Sequence, residues 1–362
     1  MNKHFNHFFI SILIAGSAFF TSCQDEDPTP VTPQVGAEGY FIVNEGAWGA
    51  GNASLSFFDR NTGSVSNDLF YNANNKRALG DQAQSMAIHD TLGYIVVQNS
   101  GKIEVIDISN YKSVATIDEE IESPRYFIGY SATKGYVSDW GSDGVSGSVK
   151  VVDLTTFNVT KTISTGQGAN QLLLDGDQLY VVNGGGWGRD NSLVIINTTT
   201  DEIAEEIEVG DNPNSLQIDA AGNIWVLTSG HSQYDENFAL VEAESTKGAL
   251  VKLDASGEVE LTFPFESFSS PKGLKINKDG NTLYYNYSGA IYQMETTETI
   301  LPTVAFVDKS FYGFAIDPFD GSIIGCEAPD FSTSGNMLIY SNAGVLTSTI
   351  KVGIAPNSCT FK

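Results

Sequence analysis

One short phrase recurs seven times along this chain and constrains its fold more than any other feature. It reads small residue or proline, polar, small, apolar, variable, apolar, and usually Asp or Asn. The copies span residues 83–89, 124–129, 169–175, 213–219, 271–277, 311–317 and 356–361, a period of roughly 40 to 58 residues. Each of the first six copies is followed by a turn carrying Gly or Asp and then by an apolar or aromatic strand, as in Tyr94-Ile95-Val96-Val97 and Leu179-Tyr180-Val181-Val182. A third strand such as 103–107 follows, and a shorter fourth is expected at positions such as 159–163. No stretch of ten or more residues has helical periodicity. Regular repetition of four short strands is the signature of a β-propeller.

The first repeat starts at its second strand, 40–43, and its missing opening phrase stands at 356–361. The reading is therefore an all-β, seven-bladed β-propeller in which the C-terminal strand completes the first blade and shuts the ring. Residues 38–362 divide into about 46 per blade and are read as one domain.

Residues 1–22 read as a lipoprotein signal peptide rather than part of the fold. Lys3 supplies a positive start, and 8–20 is apolar apart from Ser11, Gly16 and Ser17, too short to span a bilayer. The segment ends at Cys23, which resembles the acylated cysteine of a bacterial lipobox and would anchor the chain by lipid. Gln24-Asp25-Glu26-Asp27 is similar to the acidic export signal of Bacteroidetes surface lipoproteins, and with the Pro/Thr run 28–33 it makes 23–37 an extended linker. Together these segments place the protein at the outer membrane, lipid-anchored and exposed at the cell surface.

The formal net charge is −25, with 44 acidic against 19 basic residues. Phosphate-backbone recognition needs clustered Lys and Arg, so nucleic acid is excluded as a partner. Beyond Cys23, Cys326 and Cys359 are expected to be buried free thiols, with pairing as the alternative.

Strand direction alternates in such a blade. The loop entering strand one and the loop joining strands two and three therefore share one face of the disc, at the mouth of the central channel. The second position of each phrase, Gln84, Arg125, Asn170, Asn214, Lys272, Tyr312 and Asn357, should ring that mouth. Such side chains either face a ligand or satisfy backbone groups at strand starts, as Asn often does. Trp48, Trp140 and Trp187 lie in Gly-containing loops after second strands and offer flat surfaces for stacking, unless each folds over a neighbouring blade. Trp225 stands where other repeats have Tyr and reads as core. The longest loop on this face, 229–246, reads as a lid or a partner contact.

Catalytic constellations are missing. His89 and His231 lie in different blades without metal-ligand spacing, and no nucleophile–base motif is present. Glu45, Asn183 and Asn286 imitate the calcium ligands of six-bladed lactonase-type propellers, but the count of seven blades argues against that assignment. No metal, cofactor or catalytic residue is expected.

The repeat resembles the YVTN-type seven-bladed propellers over nearly all of the chain after the linker. The opening, Asn44-Glu45-Gly46-Ala47-Trp48-Gly49 leading to Ala53-Ser54-Leu55-Ser56, is similar to propeller lipoproteins of gut Bacteroidetes. That group includes surface cobalamin-binding proteins seated on TonB-dependent transporters. The resemblance implies a non-enzymatic protein that captures a small nutrient, cobalamin or a related corrinoid, for such a transporter. A carbohydrate- or protein-binding module is the alternative, and a calcium-dependent lactonase a lesser one.

Overall fold

The computed structural model describes residues 38–362. The expected signal peptide at 1–22 and linker at 23–37, Cys23 included, lie outside the described residues. The described chain forms seven antiparallel sheets, the blades of a propeller. All seven phrases become inner-edge strands: Ala83–His89, Pro124–Ser131, Ala169–Asp175, Pro213–Ile218, Lys272–Ile276, Gly313–Ile316 and Pro356–Phe361. The last pairs antiparallel with Gly39–Asn44, matching Tyr40 with Phe361 and Ile42 with Cys359, so the C-terminal strand completes the first blade.

Second strands are rich in β-branched and aromatic residues because they lie between neighbours on both edges and between blades on both faces. Every residue of Gly39–Asn44 is buried. The core is divided into clusters between successive blades. Tyr94 stacks on Phe127 at 3.9 Å between the second and third blades. Trp225 is fully buried, as expected, and its indole N–H donates to the Asp219 carboxylate at 2.9 Å. A five-residue helix, Leu69–Ala73, buries Leu69 and Phe70 with Phe41 and Phe57 at the first seam.

Two expectations need correction. The sixth blade has three strands rather than four, ending at Ala290–Glu295. The chain beyond it contains Pro302, which cannot donate to a ladder, and returns to the sheet only through an Ile291–Val307 bridge. The outer strand of the third blade is longer than read from sequence, running Asn158–Gln167 and absorbing its length in register shifts against its partner. In the fifth blade the long loop is an extension of the hairpin itself. Strand Ile224–His231 pairs outward as far as His231 with Thr246, and the tip leaves Phe238 88% exposed.

The closing strand generates a prediction. Deleting residues 356–362 strips Gly39–Asn44 of its inner partner and removes the Phe361–Tyr40 ring contact at 5.5 Å. Calorimetry should show Tm falling by more than about 10 °C, or loss of the cooperative transition. A transition within about 2 °C of the intact chain would show that the ring closes without this strand.

Candidate functional site

Second strands end in buried polar residues that pin the mouth loops. Asp139 accepts from the backbone N–H groups of Glu122 at 2.9 Å and Gly141 at 2.6 Å. Asn286 accepts from the Phe311 N–H at 3.2 Å and donates to its carbonyl at 3.3 Å. Asn183 donates to the Thr165 carbonyl and the Ser192 hydroxyl at 3.0 and 2.9 Å. With the loops fixed, the inner strands converge on a cavity of about 490 Å³ that all seven second-position residues line, together with Glu45, Lys275 and Asn286. Asn183 does not reach it, so the three residues that imitate a lactonase calcium set are not assembled. Among the described residues, no group of three or more His, Cys, Asp or Glu is placed to hold a metal.

The seven residues divide by what they already bond. Asn357 donates to the Glu45 carboxylate at 2.7 Å and to the Gln84 carbonyl at 2.9 Å. Asn214 donates to the Pro271 carbonyl at 2.9 Å and accepts from the Gly273 N–H at 3.1 Å. Tyr312 donates its hydroxyl to Glu45 at 2.8 Å. These three hold the seams between blades. Arg125 donates to the Gln98 amide oxygen and lies 4.0 Å over the Trp140 ring, while its buried Nε finds no protein acceptor. The buried Oδ1 of Asn170 is also without a protein donor. Lys272 is exposed, with its ammonium 5.9 Å from the centre of the Tyr312 ring and no side-chain hydrogen bond or ion pair among the described residues. Asn170, Lys272 and the free edge of Arg125 thus have bonding capacity left for solvent or a bound molecule.

Electrostatics follow from this enclosure. Burial pushes the Glu45 carboxyl up, against the opposing pull of its bonds from Asn357 and Tyr312 and of the Arg125 charge. Burial and Glu45 hold the Tyr312 phenol well above its ordinary range. Burial lowers both Arg125 and Lys275. Cys326 and Cys359 are free thiols with sulfurs 3.9 Å apart, and contact with Cys326 followed by burial raises Cys359.

The tryptophans do not join the ring of second-position residues. Trp140 is half-buried because Arg125 covers its face, and Trp187 meets it edge-on at 6.1 Å. Trp48 and Trp187, 67% and 75% exposed, border a separate pocket of about 220 Å³ with Asn99, Glu122 and Asp143. The Trp187 loop is held outward by Arg189, which donates to both oxygens of Asp211 at 2.9 and 2.6 Å.

Lys275 did not stand out in the sequence, and Glu45 stood out only within a lactonase-like calcium set that the blade count argued against. Lys275 occupies the variable position of its phrase, where the other copies carry Ala87, Ile128, Leu173, Gln217, Ala315 and Thr360, so that a polar residue there gave no signal by itself.

Glu45 generates a prediction. A carboxyl raised in the folded state contributes stability below its unfolded pKa, and that contribution is lost as pH rises through the folded value. Glu45→Gln, which keeps an acceptor for Asn357, should therefore raise Tm by roughly 2 °C at pH 7.5 and leave it unchanged near pH 4. A lower Tm at pH 7.5 would show that the ionised carboxylate is a net support.

The family model for a domain of unknown function, DUF5074, matches residues 38–351, and the chain belongs to that family. No curated protein matches the chain. Among solved structures, it is similar to a quinonprotein alcohol dehydrogenase-like protein from Bacteroides thetaiotaomicron at 14% identity and TM-score 0.65, over 90% of this chain and 78% of that one. It is also similar to a 6-phosphogluconolactonase candidate from Bacteroides fragilis at 14% identity and TM-score 0.64, over 91% of this chain and 100% of that one. A functionally unknown protein from Desulfotomaculum acetoxidans aligns at 10% identity and TM-score 0.65, over 90% of this chain and 99% of that one. At these identities the likeness carries the propeller fold alone.

Proposed function

We propose that this DUF5074 member is a non-catalytic binding protein that captures a small ligand at the mouth of its propeller channel. The observation that carries this reading is the convergence of one side chain from each of seven blades on a single cavity, with Asn170, Arg125 and Lys272 keeping unused bonding capacity there. The titratable groups in the cavity also support binding over catalysis. Glu45 is capped on both oxygens, by Asn357 and Tyr312, and contact with Cys326 and burial disfavour ionisation of the Cys359 thiol in spite of the nearby Lys275.

In this proposal a lipid on Cys23 holds the protein at the outer-membrane surface, and the ligand passes to a TonB-dependent transporter. Cobalamin or a related corrinoid is the ligand we favour, on the resemblance of the segment around Asn44 to Trp48 to corrinoid-capturing lipoproteins. A corrin is larger than the mouth and would lie across it, with side-chain amides meeting Asn170 and Gln84.

Calorimetry of the full chain with cyanocobalamin tests the reading. Saturable binding at micromolar concentration is expected, weakened at least about fivefold by Asn170→Ala, a loss of about one hydrogen bond, with Tm unchanged. Absence of heat at these concentrations removes the corrinoid. Cys23→Ala should move the chain from the membrane to the soluble fraction, and retention in the membrane would contradict the lipid anchor.

The exposed indoles of Trp48 and Trp187 favour a second reading, a carbohydrate seated between them against Asn99 and Asp143. Glycan-array binding lost in Trp48→Ala and Trp187→Ala, with Tm within about 2 °C of the parent, would support it. A large loss of stability in either variant would assign that indole to packing instead.

A further inference from the structure

The chemistry of the cavity narrows what the mouth can hold, given the reading that it is a binding site. The chain as a whole is strongly acidic, at −25, yet the cavity lining carries three cations, Arg125, Lys272 and Lys275, against one carboxylate, Glu45. That carboxylate forms no ion pair with any of them, although it and Arg125 attract each other at longer range. Its two oxygens accept from Asn357 and Tyr312, and none of the three cations has an ion pair among the described residues.

Lys275 is the informative member. It stands three residues beyond Lys272 on the same inner strand, roughly 7–10 Å further into the channel. It is half-buried and makes neither an ion pair nor a side-chain hydrogen bond among the described residues. Burial lowers the pKa of its amine, with the Cys359 thiol acting in the opposite direction. The other half-buried lysines without ion pairs do have acceptors: Lys150 donates to the Thr162 hydroxyl and Lys362 to the Ile108 carbonyl. A lysine at the wall of a cavity whose ammonium has no internal acceptor offers its charge to a partner that comes from outside.

Arg125 presents the complementary feature at the mouth. Trp140 covers one face of its guanidinium and Gln98 occupies Nη1, while the buried Nε has no protein acceptor. A guanidinium edge of this kind suits a planar carboxylate or a phosphate, while a lysine acts as a point charge.

We infer that the cavity is built to take an oxyanion, a carboxylate or phosphate group of the ligand, held by the Lys275 ammonium inside the channel and by Arg125 and Lys272 at its mouth. The bond formed is a charge-assisted hydrogen bond, with no covalent step.

The test is calorimetric titration of the full chain with sodium acetate, inorganic phosphate and, as the uncharged control, acetamide, each at constant ionic strength. Saturable binding of acetate or phosphate is expected, and the anion that binds more tightly identifies the group. Lys275→Gln should weaken it at least about tenfold, as for loss of a charged hydrogen-bond partner, while Lys150→Gln stays within about twofold of the parent. Lys275→Met, which removes the unpaired charge, should melt no lower than the parent while losing anion binding, an outcome that a structural lysine would not give. Equal anion affinity in the parent and Lys275→Gln overturns the inference. Binding of cyanocobalamin or acetamide with no binding of either anion also overturns it and leaves the mouth reading standing, whereas absence of binding by all four compounds removes both.

Discussion

The structure depends on how the inner strands satisfy their free edges. Each pairs with a second strand on one side only, so its other edge faces the channel with unpaired backbone groups. The neighbouring inner strand supplies the partners through side chains. Ser85 donates to the Arg125 carbonyl at 2.8 Å, Gln171 accepts from the Leu216 N–H at 3.0 Å, and Ser215 accepts from the Leu274 N–H at 2.8 Å. At the closing seam Asn357 and Thr360 donate to the carbonyls of Gln84 and Met86, at 2.9 and 2.7 Å. The seventh blade approaches so closely that a Cβ at Gly313 would run into the Asn357 carbonyl. These bridges run from blade to blade around the axis, and the polar and small positions of the recurring phrase exist to make them.

The binding face is what that arrangement leaves over. Where a second-position residue is committed to a seam through both amide atoms, as Asn214 is, it shapes the cavity without offering itself to a ligand. Where a neighbouring residue satisfies the seam, as Gln171 does beside Asn170, the side chain remains available. The same economy explains the charge inversion at the mouth, where the one carboxylate is held between Tyr312 and Asn357 and forms an ion pair with none of the cations.

The fold was legible in the sequence because the phrase encodes a backbone requirement that every blade shares. The strand order, the blade count and the closing strand all follow from it. The three-stranded sixth blade was not legible, since strand four lies at the outer edge and has no fixed chemistry to mark its loss. For the site, spacing located the ring but could not sort its members, because Asn170 and Asn214 are the same residue type at the same position and differ only in their neighbours. The tryptophans were recognisable as surface residues in two of three cases, yet their distance from the central cavity depends on Arg125 and Arg189, which sit on other segments. Lys275 was hidden because its position in the phrase carries no constraint, which is the reason a function-specific residue can occupy it.

The most direct measurement is a crystal structure of the full chain grown with selenate, an oxyanion whose anomalous scattering locates it without ambiguity. An anomalous peak within hydrogen-bond distance of Lys275 Nζ, inside the ring of second-position residues, is the result predicted by a cavity made for an anionic ligand. Selenate bound only on the outer faces of the blades, with the central cavity free of it, would contradict that assignment.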